Sequence, residues 1–596
     1  MTGHGQSTFI CNRKRLLVIA LALIGIVPLV FAQTKEFRPV TTEMLVNPDP
    51  GDWLMLSRTY DEQRFSPLDQ IDKKNVDQLR MVWSRGFPAG TQSTIPIVYD
   101  GVLYVVAPID SVVALDATSG DLVWRYQRKF VPGVRSALAA STSSKSLAIY
   151  HDMIFYTSAD GYLVALNARD GGVRWEVESY DAASGSKNTS APIVVEGMVI
   201  TARACADYAN CFIAAHDAMT GGEVWKFFTS AAEGDPGGDS WGNVATEKRV
   251  SSTWGLPGSY DPVKRLIYWG IANPQPYTRL SRHGSPDGTS RTAPADLYSN
   301  STVALHAETG ALAWYYQHLP GDDWDADHTH ERILVRTSVD PDPEEVKWIN
   351  PGIRQGDERD VVVHIGEGGG MWLLDQASGE FLWAMPFPID VPDFNVSNID
   401  VETGRTEINW ENVFKEDKQS VITCFHNTRG YWPMAYHPAT NSVYVAFHDY
   451  CLGMTADLSS STGWVDRAGR LRPGVDPDKA YALGKIDLTT GKLIRLYEGG
   501  VPGNGAVLAT AGGLIFWGDM NRRFRAFDAE DGEILWESVL GGIIQMSTIT
   551  YAVDERQYIA VMTGDGNSAT RNPVALANLD VPRGHNAIYI FALPSD

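Results

Sequence analysis

The chain has 596 residues, and its 72 acidic against 50 basic side chains give a net charge of −22. A field of that sign repels a phosphate polyanion, which argues against nucleic-acid binding. With 44% hydrophobic residues, 18 Trp and 55 Gly the sequence can bury a large core, so disorder is excluded as its main state. Length alone leaves open either several domains or one repeat architecture.

The first predicted element is a secretory signal: Arg13-Lys14-Arg15, then the apolar run LLVIALALIGIVPLVFA (16–32), with Val30 and Ala32 small enough for cleavage before Gln33. The mature chain is then 33–596, a single domain, at a net charge of −25. An uncleaved anchor is the alternative, and membrane contact then rests on this segment alone; an apolar run interrupted by Pro28 barely reaches spanning length. Cys11 leaves with the signal. Cys205, Cys211, Cys424 and Cys451 remain and allow two disulfides in three pairings, of which 205–211 with 424–451 closes the shortest loops. No CxxCH and no Cys/His zinc spacing occurs, which argues against covalent haem and a zinc finger-type site on this chain.

From residue 114 onward one phrase recurs: a strand, an Asp- or Ala-containing turn with Gly, and Trp four residues after the Gly. The copies are ALDATSGDLVW (114–124), ALNARDGGVRW (165–175), AAHDAMTGGEVW (214–225), ALHAETGALAW (304–314), LLDQASGEFLW (373–383) and AFDAEDGEILW (526–536). In KIDLTTGKLIRLY (485–497) Arg495 takes the Trp place, and NVDQLRMVW (75–83) supplies a strand and Trp83. Each copy reads as a hairpin with two alternating strands, and further strands such as IVYDGVLYVVA (97–107) bring the unit to about four. Four-stranded units that cannot bury both faces alone stack radially. The prediction is an all-β fold, an eight-bladed β-propeller of four-stranded antiparallel blades with tryptophan-docking repeats, in which the Trp residues pack between blades and are not cofactor ligands.

These phrases, together with WLMLSRTYDEQRFSPLDQI (53–71), GSYDPVKRLIYWGIANPQPY (258–277) and GGLIFWGDMNRRFRAFDAEDGEILW (512–536), resemble the pyrroloquinoline quinone (PQQ)-dependent alcohol dehydrogenases of the methanol/ethanol dehydrogenase type, over nearly the whole mature chain. The resemblance implies a periplasmic enzyme with PQQ near the propeller axis over Ca2+ or a lanthanide. It places metal ligands at Asp207, Asn273 and Asp325, with Asp325 also the catalytic base, and cofactor contacts at Thr189, Ala206, Trp254 and Lys145. Carboxylate and amide oxygens suit such a hard cation. Asp327, two residues beyond Asp325, resembles the extra carboxylate of the lanthanide-using branch. The implied reaction is oxidation of a small alcohol to an aldehyde, with electrons passed to a separate soluble cytochrome c, which an acidic surface would steer. A homodimer is among the assemblies expected.

Four positions depart from the family pattern. Its adjacent Cys pair falls on Ala139-Ala140, an Arg becomes Lys145, a Glu becomes Ser93, and an Arg beside the quinone aligns with Glu367. The competing expectation drawn from these changes is a non-catalytic or cofactor-altered propeller acting as a scaffold. The loops 226–303 and 384–484 carry no phrase that names the substrate.

Overall fold

Short apolar runs, bounded by Asp/Gly turns, fold into antiparallel sheets of four strands paired in chain order. The computed structural model describes residues 37–130, 144–424, 428–503, 505–565 and 571–594. The predicted signal segment and Ala139-Ala140 lie outside them. The first sheet pairs Ile97–Tyr99, Val102–Ala107, Ser111–Asp116 and Leu122–Gln127; the next two span Ala148–Tyr150 to Val173–Glu178 and Ile193–Val195 to Glu223–Phe228. Two more run from Ser259–Asp261 to Leu312–Gln317 and from Ala435–His437 to Leu493–Gly499. Between them lies Ile333–Val339 to Phe381–Met385, extended by Trp348–Ile349 at one edge. Leu508–Thr510 to Ile534–Val539 gains Phe65–Ser66 as a parallel neighbour. The last sheet joins both ends of the chain: Ile549–Val553, Arg556–Thr563 and Ala587–Ala592 are completed by Arg80–Gly86, with Arg80 opposite Ala592 and Gly86 opposite Ala587. The fold is an all-β propeller type, and residues 38–596 form one unit.

Inner strands such as Val102–Ala107 are buried at successive residues from Leu103 on, whereas the outer strand Leu122–Gln127 keeps only Trp124 buried. The reason is a β-bulge. In the first repeat Ala114 pairs with Trp124 and Leu115 with Leu122, so Val123 is the extra residue and lies exposed. Arg174, Val224, Ala313, Leu382 and Leu535 occupy the same place in later repeats, and Val82 does so before Trp83. A bulge re-aims the residue beside it, and here that residue is the Trp.

The re-aimed indoles reach the following repeat. Trp83 Nε1 donates to Ala117 O at 3.2 Å, Trp124 to Ala168 O at 2.9 Å, Trp175 to Ala218 O at 3.1 Å, Trp225 to Ala307 O at 2.8 Å and Trp314 to Gln376 O at 3.1 Å. Each ring also lies flush on the turn glycine of that next repeat, Gly120, Gly171, Gly221, Gly310 and Gly379. The worn copy differs because its bulge has moved: Arg495 still pairs with Gly484, but the extra residue is Leu496, and it is Leu496 that covers Gly532. Arg495 instead lies over Phe447 and pairs with Glu498.

Gly171 shows why the turn residue is Gly. Its φ is +72°, and a methyl group there would sit 2.6 Å from Trp124 Cε3. Left-handed backbone costs an L-residue about 1–2 kcal/mol and overpacking about 1–3 kcal/mol. Gly171→Ala is therefore expected to lower unfolding stability by about 2–4 kcal/mol, read as a drop in the denaturant midpoint; an unchanged midpoint would remove the Trp124 contact from the scaffold's account.

The four cysteines pair as 205–211 and 424–451. The second bridge ties Cys451 in Tyr450–Ala456 to the end of Ser420–Thr423, within a three-stranded sheet that includes Trp464–Leu471. Among the described residues no helix is long and apolar enough to cross a membrane.

Candidate active site

The run GDDWDADHTHER (321–332) crowds five carboxylates into one connection, and hydrogen bonding divides them. Asp322 accepts from the backbone N–H of Trp324 (2.7 Å) and Ala326 (2.8 Å) and from the Asn300 amide (3.0 Å). Asp323 accepts from the Arg279 and Phe414 N–H groups, at 2.5 and 2.7 Å. Glu331 pairs with the buried guanidinium of Arg429 and accepts the Met434 N–H at 2.7 Å. These three are framework, since buried backbone donors and a buried cation must find acceptors. The Asp322 clamp spans Asp325, which turns through a left-handed φ of +64° and stays only half-buried.

Asp327 is buried. Its Oδ1 accepts the Asn273 N–H at 2.8 Å and its Oδ2 accepts the Trp254 indole N–H. Burial still pushes its carboxyl up to about 7, because those bonds do not replace the lost hydration. Glu367 enters beside it from the turn after Asp357–Ile365: its N–H donates to Asp327 O at 3.0 Å, and its carbonyl accepts the Thr428 N–H at 3.0 Å. The Glu367 carboxyl is held well above the usual carboxylate range by burial first, then by Asp327, Asp325 and Asp322. Its Oε2 is buried without a hydrogen-bond partner. Neither Asp327 nor Glu367 is paired with a cation among the described residues. Tyr277 faces the same group, and its phenol is pushed up chiefly by Asp325, then by burial, Asp327 and Glu367.

His318, His328 and His364 follow, with ring nitrogens within 4.8 Å of one another. All three are buried around Trp372, and burial drives each far below the ordinary imidazole value. They are neutral and bring no positive charge to the carboxylates.

A second wall adjoins Asp327 through Trp254. Lys145 Nζ donates to Thr189 O at 2.7 Å and Trp254 O at 2.9 Å, and the Thr189 hydroxyl donates to the same Trp254 carbonyl at 2.9 Å. The ammonium lies 5.1 and 5.2 Å from the ring centroids of Trp254 and Tyr431, which meet edge to face. Burial lowers the amine to about 7, and no carboxylate pairs with it among the described residues. Ser93 is buried, with its hydroxyl on Gln545 Oε1 at 3.3 Å.

Hydrogen bonds thus join Asn273, Asp327 and Glu367, and then Trp254, Thr189 and Lys145, into one continuous site, with the half-buried Asp325 and Tyr277 beside its carboxylates. Ala206 and Asp207 lie in the turn closed by Cys205–Cys211, and the preceding Ala204 bridges to Lys187 on the segment leading to Thr189. The Asp207 carboxylate accepts from the N–H and amide of Asn210, at 2.9–3.0 Å. The Ala206 N–H donates to Ser186 Oγ at 3.2 Å and its side chain is exposed. Sequence reasoning passed over Tyr277 and Tyr431; the phrase NPQPY carried the first, while nothing marked the second.

The family model described as "PQQ: Glucose/ethanol/alcohol dehydrogenase, beta-propeller domain" matches residues 53–397 and 482–559. The chain is 31% identical to quinohemoprotein alcohol dehydrogenase ADH-IIG of Pseudomonas putida over 87% of this chain and 73% of that one. It is 28% identical to the dehydrogenase subunit of an alcohol dehydrogenase (quinone) of Gluconobacter oxydans, over 93% and 76%. Among solved structures, a europium-containing methanol dehydrogenase superposes with a TM-score of 0.77 at 25% identity, covering 92% of this chain and all of that one.

Proposed function

Since the chain belongs to the PQQ-dependent glucose/ethanol/alcohol dehydrogenase propeller family, we propose that it oxidises an alcohol to the aldehyde at the site around Asp325 and Asp327. The observation that carries this reading is a buried site with ionisable groups of opposite sign left unpaired: among the described residues Asp327 and Glu367 have no cation, and Lys145, held by backbone carbonyls, has no anion. The first pair fits a hard multivalent cation and the second an anionic quinone. In this reading Asp325, Asp327, Asn273 and Asp207 hold the Ca2+ or lanthanide, and Lys145, Thr189, Trp254 and Ala206 hold the PQQ. When bound, these groups supply the hydride acceptor and the Lewis acid.

The chain's own residues do the rest. Asp325, half-buried at the end of the Asp322 clamp, takes the proton from the alcohol hydroxyl onto a carboxylate oxygen. The Asn273 N–H and Trp254 indole fix the Asp327 carboxylate, so its orientation does not depend on substrate. Trp254 and Tyr431 wall the Lys145 ammonium off from water, which strengthens its attraction for a ligand carboxylate.

The same reading takes the sheets as eight blades locked by the Trp-to-Gly contacts, the location as periplasmic after removal of 1–32, and the electron acceptor as a soluble cytochrome c drawn by the acidic surface. A scaffold role is not favoured, because it leaves the unpaired groups of the site unexplained. The test is reconstitution of the purified chain with PQQ and either calcium or a light lanthanide, followed by dye-linked oxidation of a panel of small alcohols. Turnover with at least one cation is expected; no bound-quinone absorbance and no alcohol-dependent reduction with either would end the enzyme reading.

A further inference from the structure

Glu367 stands out within this site as a carboxylate with no structural occupation. Asp322, Asp323 and Glu331 each satisfy buried donors, and both oxygens of Asp327 are engaged. Glu367 is only 7% exposed, and its Oε2 is buried with no hydrogen-bond partner. Its backbone N–H donates to the Asp327 carbonyl and its carbonyl accepts the Thr428 N–H, so the turn is pinned between the Asp327 and Thr428 segments. The carboxylates that act on it most strongly are Asp327 and Asp325. An ionised side chain so placed is costly unless it is paired or coordinates a cation.

We propose that Glu367 is a direct ligand of the site's cation and that it biases the site toward a trivalent ion. This rests on the metal-dependent reading given above and adds to it a ligand that the carried-over set does not contain. The bias follows from charge counting. Glu367 adds one negative charge to a proposed ligand set that already carries the carboxylates of Asp207, Asp325 and Asp327, in a largely buried site. Four carboxylates exceed the charge of calcium by two and that of a trivalent ion by one, so the added carboxylate is better compensated by the trivalent ion. Ligand charge is the main lever by which oxygen sites tune cation affinity.

The experiment uses the full chain freed of metal, with europium(III) alone as probe. Direct-excitation luminescence lifetimes in H2O and D2O count the water molecules on the ion, and competition titrations give the europium and calcium affinities. Glu367→Gln keeps the size of the side chain and removes the charge. It is expected to add about one inner-sphere water and to weaken europium at least about 100-fold, with calcium affected much less. Glu367→Asp, which keeps the charge but withdraws it by one methylene, should gain the water while retaining more of the affinity, and it serves as the readout if the Gln variant does not fold. Europium bound equally tightly, with the same water count, in the variants and the parent chain overturns the role of Glu367 and leaves the metal site standing. A parent chain that binds calcium but not europium overturns the proposal and leaves the metal site standing; a parent chain that binds neither overturns both.

Discussion

Asp325→Asn lowers alcohol turnover by about 10²- to 10⁴-fold, the usual contribution of a positioned general base, while the protein remains folded. The two halves of this expectation have separate causes. Asn cannot take a proton from the substrate hydroxyl at neutral pH, so the reaction loses its acceptor. The backbone, in contrast, tolerates the change: position 325 sits at φ +64°, and Asn is among the few non-Gly residues that adopt the left-handed region readily. The surrounding clamp belongs to Asp322 and is untouched. Steady-state kinetics of the reconstituted protein with a dye acceptor, alongside near-ultraviolet circular dichroism, separate the effects: kcat should collapse with an unchanged spectrum. Retained kcat would remove Asp325 from the base role, and the half-buried Tyr277 phenol would become the next group to test.

Quinone affinity is expected to depend on pH through Lys145, in the direction opposite to apoprotein stability. Burial lowers the free amine to about 7 from an ordinary value of 10.5. Below pH 7 it is already protonated and can hold a ligand carboxylate without further change. Above pH 7 binding must recruit a proton, so the association constant falls about tenfold per pH unit until the raised value of the complex is reached. For the empty protein, the unfolded chain binds the extra proton between pH 7 and about 10.5, so stability rises across that interval and is lowest below it. Quinone binding followed by absorbance from pH 6 to 9 checks the first trend, and denaturant melts of the apoprotein check the second. Lys145→Met should flatten both and weaken binding by about 3–5 kcal/mol, the cost of truncating one partner of a buried charge pair. A pH-independent affinity in the parent chain would place the anion somewhere other than against Lys145.

Much of the architecture was legible because it is written locally. The Gly-to-Trp spacing and the alternating strands are short-range signals, and they give the all-β repeat directly. What each Trp touches is not local: Trp124 rests on Gly171, in the next copy, and only the bulge at Val123 aims it there. The worn repeat shows the limit most plainly. Alignment puts Arg495 at the Trp position, and the strand register agrees, yet a shifted bulge hands the covering role to Leu496. In the site, Asn273, Asp325, Asp327, Trp254 and Lys145 came from resemblance to family phrases, and the structure gathers them. The partition of the acidic run did not come from sequence, because Asp322, Asp323 and Asp325 are the same residue type, and only backbone partners distinguish framework from chemistry. Glu367 was visible solely as a departure; its unpartnered oxygen depends on the turn after Asp357–Ile365, about 40 residues further along, folding back beside Asp327.

The pairing of Arg80–Gly86 with Ala587–Ala592 also sets a schedule for the chain's birth. Most repeats find their hydrogen-bond partners within a few dozen residues and can form as the polypeptide emerges. The strand Arg80–Gly86 cannot, since its neighbour is made about 500 residues later, and closing a loop of that length carries an entropic cost of about 5–6 kcal/mol before any contact repays it. Until Ala587–Ala592 is made, Arg80–Gly86 presents an open edge, the feature that invites pairing with another chain. Removal of Ala587–Ala592 would therefore unseat Arg80–Gly86, making the integrity of these two distant strands a single property.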